Sequence, residues 1–519
     1  MIILRNINLP LDTDFSAVAQ IVANCIKMPI SKIKSAKLYK KSVDARHKND
    51  ICFCCSFIAE IDGDEKRLTK KNKFAEIFSP PKYVYRTAVS KTRPVVVGFG
   101  PAGMFAALTL ARAGLKPIVL ERGQDADTRI KDVENFFLGG KLNTESNVQF
   151  GEGGAGTFSD GKLNTGIKDA RIREVLKVFH MFGADEKILY EAKPHIGTDV
   201  LINIVKNIRN EIIKLGGEVN FGCRLVKINT DKEFITSVVT QNGLEIPCES
   251  VVLATGHSAR DIFELLNDMG VSLARKPFAV GTRIEHSQES INKAMYGKFW
   301  DNKNLGAADY KLAVHLPSGR GVYTFCMCPG GEVINSSSED GGIAVNGMSY
   351  SARDGKNANS ALLVEIKPED LDGDDIFAGV NLQRQIEQSA YNIDNGKVPY
   401  CYVGDLLSIP VKSGIIPTVK PNTVHTDIYC VLPQFVADSI KAGIVEFEKK
   451  IKGFSASGAV LTFPETRSSS PIRILRDENY VSVSIKGLYP AGEGAGYAGG
   501  IMSAAVDGMR VAESIIDNA

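Results

Sequence analysis

Gly98, Gly100 and Gly103 stand in G-x-G-x-x-G spacing. That spacing suits close approach of backbone to a pyrophosphate: the first glycine permits a tight turn, the second admits the phosphates, the third lets a helix pack against a strand. The flanks agree. Val95, Val96 and Val97 form a β-branched apolar run that reads as a buried strand. Residues 104 to 112 read as a helix, closed by Gly114, and residues 116 to 120 as a second strand with Glu121 at its end. A helix N-terminus offers free N–H groups and the positive end of its dipole to phosphate. An acid at the end of the second strand accepts hydrogen bonds from a ribose. Residues 94 to 123 therefore predict a dinucleotide-binding unit.

Other residues have types and positions that could do chemistry. Gly492-Glu493 and Gly500-Ile501-Met502 precede a helix predicted from about 503 to 516, a second strand, glycine turn and helix start where N–H groups meet a polar ligand. Residues 138 to 161 are too glycine-dense for a regular element and include Phe150 and Phe158, so they read as backbone wrapped around a ligand. His195, in a loop before a helix at 200 to 215, reads either as catalytic or as the anchor of a backbone carbonyl. Cys326 and Cys328 share one face of a strand, which is too few ligands for a closed zinc site; they read as buried structural thiols. C-x-x-C and C-x4-C are absent after the first glycine unit, which disfavours disulfide-reductase chemistry. Arg467 and Arg473 sit where the chain returns to its first texture, and clefts form at such junctions. Guanidiniums grip carboxylate or phosphate bidentately, so both are substrate-binding candidates; the competing reading pairs them with acids that fasten two domains.

The elements that must position these groups divide the chain into four stretches. Residues 1–90 carry a βαββα order expected to form a small ferredoxin-like α+β domain. Residues 91–270 form the first part of the dinucleotide domain, ending in the apolar run 251 to 254 and Thr255-Gly256. Residues 271–455 form an inserted mixed α+β substrate domain. Residues 456–519 return to the first domain. The fold class is thus α/β, a Rossmann-like domain carrying an insertion and an N-terminal appendage. Alternation in residues 51 to 61 suggests Cys52 and Cys54 as core positions.

Composition bounds the function. The 519 residues carry a net charge of +2 and 24% charged residues, which gives no global argument for nucleic acid or anionic membrane. No apolar run is long enough to span a bilayer. Ten scattered cysteines and the absence of a secretory signal lead to an expected reducing, cytoplasmic setting. Residues 27 to 93 hold 17 Lys+Arg against 7 Asp+Glu. No stacking-aromatic motif accompanies them, so a solvated face is favoured over nucleic-acid binding.

The glycine unit with Glu121-Arg122, Ala254-Thr255-Gly256 and Gly492-Glu493 resembles the FAD-binding fold of glutathione-reductase type. Lys193-Pro-His-Ile-Gly-Thr-Asp199, Cys326-Met-Cys-Pro-Gly-Gly331, Asn346-Gly-Met-Ser349 and Glu465-Thr-Arg-Ser-Ser-Ser-Pro471 narrow the resemblance to bacterial NAD(FAD)-utilising dehydrogenases. The resemblance implies FAD as cofactor. It places Gly98, Gly100, Pro101, Ala102 and Gly103 at the pyrophosphate, Glu121 and Arg122 near the adenosine ribose, and Val226 near the adenine. Thr255 and Gly256 would line the cofactor, Gly492 and Glu493 would approach the ribityl chain, and Gly500, Ile501 and Met502 would face the isoalloxazine. Relatives usually carry Asp where this chain has Glu493. The implied activity is hydride transfer between flavin and a small, anionic substrate, with NAD(P)H as a candidate transient donor; no second G-x-G-x-x-G marks a dedicated NAD(P)H domain. The alternative is an FAD-dependent RNA-modifying protein that docks RNA through its basic N-terminal domain.

Overall fold

Val95–Val97 is the central strand of a five-stranded parallel sheet in the computed structural model, which describes residues 1–519. The strand order is Leu488–Pro490, Val251–Leu253, Val95–Val97, Ile118–Leu120, Glu218–Asn220. The three central strands are short, apolar and almost wholly buried, as a parallel sheet covered on both faces requires. Register sets which loops meet. Val97 lies opposite both Leu253 and Leu120, and Leu253 lies opposite Pro490. The segments that leave these strands are therefore brought to one edge: the turn at Gly98, Glu121, Ala254-Thr255-Gly256 and Ala491-Gly492-Glu493. Open parallel sheets bind ligands at that carboxyl edge.

Helix Pro101–Arg112 starts at the glycine turn and Ile501–Asp517 starts at Gly500. The two pack tightly because Gly508 has no side chain: a Cβ there would lie 2.0 Å from the Ala102 carbonyl oxygen. An antiparallel meander, Leu225–Asp231, Phe234–Thr240 and Glu245–Pro247, completes this domain.

The insert is built on a seven-stranded mixed sheet whose centre is Phe278–Ser287, flanked by Asn357–Ile366 and Val460–Glu465. Val460–Glu465 thus belongs to the insert's sheet, and the chain returns to the parallel sheet later than position 456, where sequence texture puts the change. Its partners explain why: only strand pairing, invisible in a local window, assigns it. Two strands, Leu273–Arg275 and Ile472–Ile474, pair antiparallel where the chain leaves and re-enters the insert.

The N-terminal sheet has the order Ile33–Asp44, Cys52–Ile61, Ile2–Leu9, Ala75–Ile77, all neighbours antiparallel. With helices Val18–Ile26 and Glu65–Lys71 this is the split βαβ arrangement of a ferredoxin-like domain. Its last strand, Ala75–Ile77, is too short to show in sequence. Cysteine placement is the reverse of the expectation. Phe53, Cys55 and Phe57 face the core, while Cys52 and Cys54 are half-buried on the other face. The two phenylalanines claim the core face, and a period of two sends their neighbours outward. Several basic residues of this stretch bond within the chain: Lys48 Nζ donates to the Ala294 carbonyl at 2.6 Å, and Arg86 and Arg93 pair with Asp517 and Glu218. No helix is long and apolar enough to cross a membrane.

Candidate active site

One cavity of about 440 Å³ runs from the first glycine turn into the insert. Its cofactor end is lined by Gly98, Gly100, Pro101, Ala102, Glu121, Arg122, Thr255, Gly256, Glu493, Gly500 and Ile501. Gly103, Gly492 and Met502 support this wall from behind without lining it. Gly103 is needed for packing, since a Cβ would lie 1.9 Å from the Gly98 carbonyl oxygen. Gly256 and Gly500 differ: both have positive φ, 72° and 103°, and a Cβ at either meets no protein atom within 4 Å. Those glycines leave open space on the cavity side, as a ligand lying against backbone requires. Val226 is 40% exposed and does not line the cavity; its neighbours Cys223, Arg224 and Leu225 do. Alternation along Leu225–Asp231 turns Leu225 inward and Val226 outward.

Glu121 is buried and accepts from three backbone N–H groups, Phe99 at 2.7 Å and Gly123 and Gly151 at 2.9 Å. Its carboxylate thus ties the glycine turn to the glycine-rich segment while lining the cavity. Arg122 stacks over Phe150, 4.4 Å from the ring centroid, and pairs with Asp261 and Glu145. Glu493 lies 3.5 Å from His257 Nε2 and accepts from the Gly500 N–H at 3.4 Å.

The glycine-rich stretch does wrap around the cavity, through Gly154, Ala155 and Gly156. What shapes it is Arg129, which sequence reasoning missed. This buried guanidinium donates to the carbonyls of Asn147 at 2.8 Å, Val148 at 2.9 Å, Glu152 at 2.7 Å and Gly154 at 3.0 Å. Gly151 has φ 117°, and a Cβ there would lie 2.4 Å from Arg129 Cδ. Both the turn and the passage of Arg129 require glycine.

The opposite end is lined by Tyr310, Cys326, Asn346 and Glu465 of the insert, with Arg467 just after its last strand and Lys162 at the end of the glycine-rich segment. Arg283, fully buried, organises it. Its Nη1 donates to the Cys326 carbonyl and its Nη2 to Asn346 Oδ1, both at 2.8 Å. Its Nε lies 2.6 Å from Glu465 Oε2, within ion-pair distance but off the line of the N–H bond. Burial pushes the Glu465 carboxyl up to about 7, against the pull of Arg283. A carboxyl that titrates near neutrality and lines a cavity exchanges protons readily. Only the fold places it there.

Arg467 lines the cavity, but its fork is occupied. Nε and Nη2 donate to the two Glu387 carboxylate oxygens at 3.0 and 2.9 Å, and Nη1 to Ser338. Arg260 holds the same carboxylate through two bonds of 3.0 Å. Burial opposes ionisation of Glu387, yet Arg467 and Arg260 outweigh it and hold the carboxyl at about 2. The structure thus gives Arg467 the fastening role, joining the helices Arg260–Asp268 and Ala378–Ile393, and leaves an anionic substrate no free fork there. Arg473 does not line the cavity; its guanidinium lies over Tyr497, 5.2 Å from the centroid. Glu387, the acid that occupies Arg467, lies 80 positions away and so was not visible in the local sequence. His195 Nε2 lies 3.2 Å from the Ser351 carbonyl, away from the cavity wall, and burial pushes the ring down to about 4. It anchors a loop.

Comparison with known proteins decides which dinucleotide fits. A family model described as FAD-dependent protein, C-terminal domain-like, matches residues 277–468, and one described as pyridine nucleotide-disulphide oxidoreductase matches 92–262. A protein of Clostridium beijerinckii, described only as uncharacterised, is 48% identical over 524 residues, covering 99% of this chain and 98% of its own.

The chain belongs to a family of FAD-dependent oxidoreductases. FAD is its cofactor, and the match over residues 277–468 brings the insert into the family as well. Residues 1–59 match a domain of unknown function. Among solved structures, L-proline dehydrogenase from P. horikoshii is 11% identical, covering 83% of this chain and 94% of that one with a TM-score of 0.38. Glycine oxidase from Bacillus cereus is 13% identical, covering 82% and 95%, with a TM-score of 0.32. In this FAD-dependent oxidoreductase the two helix N-termini at Gly100 and Gly500 would hold the negatively charged parts of FAD. The first suits the pyrophosphate; the second would stabilise the charge that reduced flavin carries near its pyrimidine ring.

Proposed function

We propose that this protein oxidises or reduces a small molecule held in the insert's half of the cavity, with Glu465 exchanging the proton. Bound flavin supplies the hydride chemistry. The chain's own residues do the rest. The insert's sheet closes over the substrate, Arg283 positions Glu465, and Asn346 and Tyr310 line the pocket around it. In the oxidative direction the Glu465 carboxylate would take the proton the substrate gives up, and in the reductive direction the Glu465 carboxyl would return it, the hydride chemistry being what bound FAD would supply. The observation that carries this reading is the continuity of the cavity from Gly100 and Gly500 to a carboxyl that titrates near neutrality. NAD(P)H fits as a transient donor that would occupy the same cavity, because the parallel sheet occurs only once in the chain.

An anaerobic stopped-flow survey of the yellow holoenzyme tests this reading. NADH, NADPH and panels of small acids, amines, alcohols and aldehydes are mixed with it in turn. At least one should bleach the flavin at about 1 s⁻¹ or faster, the lower end of ordinary turnover. Failure of every donor, with FAD bound at one per chain, overturns it.

A further inference from the structure

Cys326 has three properties that a packed structural thiol does not need. It lies on the cavity wall rather than behind it. It adopts φ 42°, in the left-handed region, at a break in the ladder where strand Gly321–Cys328 slips against Asn357–Ile366. A non-glycine residue there is strained and persists only where its surroundings over-determine it. They do so here: the Cys326 carbonyl accepts from Arg283 Nη1 at 2.8 Å and from Cys328 Sγ at 3.3 Å. The groups around the thiol are also specific. Cys328 stands two residues along the same strand, Arg283 comes from Phe278–Ser287 two strands away in the same sheet, and Lys162, held by Asp160 at 2.8 Å and by the Met327 carbonyl, from the end of the glycine-rich segment. Arg283 and Lys162 set two positive charges against the Cys326 thiol and favour its ionised form, opposed by its burial and by the charge of Asp160. Glu465, 3% exposed, lines the same cavity with its Oε2 completing no hydrogen bond, and so does Tyr310, whose buried hydroxyl has no partner. A thiol set against two cations, a proton-exchanging carboxyl and an unpartnered O–H donor line one cavity whose other end would hold flavin.

We infer that Cys326 is a nucleophile of the active site and that the substrate it takes is an aldehyde. This rests on the oxidoreductase reading above and deepens it. A thiolate takes no direct part in hydride transfer; its use is to add to a polarised carbon. The Cys326 sulfur forms a bond to the aldehyde carbon as the C=O π bond breaks, and the oxygen takes a proton from Glu465. Tyr310 donates to that oxygen. The carbon now bears a C–H next to oxygen and sulfur. It loses hydride to the flavin and the hydroxyl proton to the Glu465 carboxylate, leaving a thioester on Cys326. Water then adds at the acyl carbon and gives up a proton to solvent, the C–S bond breaks, and the acid leaves with the thiolate restored. The aldehyde is oxidised by two electrons and the flavin reduced by two.

The test uses holoenzyme. Iodoacetamide at pH 7, followed by peptide mass mapping, should alkylate Cys326 at least tenfold faster than the exposed Cys430. Anaerobic mixing with propanal or hexanal should bleach the flavin and leave an acyl mass on the Cys326 peptide in an acid quench. Cys326→Ser and Cys326→Ala should retain FAD and lose both signals, with bleaching by aldehyde at least a hundredfold slower. Alkylation no faster than at Cys430, or undiminished bleaching by aldehydes in either variant, overturns the inference. Bleaching by amines, alcohols or acids but never by aldehydes also overturns it and leaves the oxidoreductase reading standing; no bleaching by any donor sinks that reading itself.

Discussion

Glu465 and Glu387 are two buried carboxyls driven in opposite directions by what faces them. Glu465 has one guanidinium, poorly aligned, and burial wins, so it titrates near 7. Glu387 has two guanidiniums, each bidentate, and they win. The consequences separate cleanly. Glu465→Gln should slow flavin reduction about 100-fold, the lower end of what a positioned acid or base contributes. It should also abolish the limb near pH 7 in the pH profile of the reduction rate, with FAD content unchanged. A retained limb would assign the proton elsewhere. Glu387 acts on stability. Its folded value lies below the ordinary 4.5, so its contribution is complete above about pH 4.5 and is lost as the pH falls toward 2. Glu387→Ala leaves two buried guanidiniums unpaired and should cost about 3–5 kcal/mol at neutral pH. Urea titrations at pH 7 and pH 3 check both statements: the gap between variant and wild type should narrow at the lower pH.

At the scale of elements, the cavity depends on two helices meeting closely. Pro101–Arg112 and Ile501–Asp517 cross at Ala102 and Gly508, with Gly508 filling no space. Gly508→Ala puts a methyl 2.0 Å from a backbone oxygen, which no rotamer relieves. The helices must separate, at a cost of about 1–3 kcal/mol for an overpacked contact. Both N-termini line the cofactor end, so equilibrium dialysis should show weaker FAD binding by about tenfold or more. Unchanged FAD affinity would mean that the helix starts hold their places independently of this crossing. Gly103→Ala, with a clash of 1.9 Å inside the turn itself, should lose FAD altogether.

At the scale of the molecule, the cofactor domain is assembled from both ends of the chain. Leu488–Pro490 completes the parallel sheet beside Val251–Leu253, and Gly500 begins the second helix at the cavity. A chain stopped after residue 470 retains the first glycine unit and the whole insert sheet, yet lacks these pieces. It should copurify with less than a tenth of the FAD of the full chain. Equimolar FAD on the truncated protein would show the first unit to suffice. The insert is fastened at the same junction by Glu387 with Arg260 and Arg467, so the two halves of the cavity are held in one geometry by a buried ion cluster.

The sequence by itself determined the dinucleotide unit, the second glycine turn, the ferredoxin-like order at the N-terminus and the presence of an insert. Each rests on short-range physics: β-branched runs, glycines where a Cβ cannot go, and periodicity within one element. It could not assign Val460–Glu465 to the insert, show Arg129 threading the glycine-rich segment, or choose between substrate and Glu387 as the partner of Arg467. Those outcomes join residues far apart in the chain, 80 positions in the case of Glu387 and Arg467, and no local pattern encodes such a pairing. The reactivity of Glu465 and Cys326 is of the same kind. A carboxyl or thiol acquires its proton affinity from burial and from the charges brought against it, and both are set only when the sheets close.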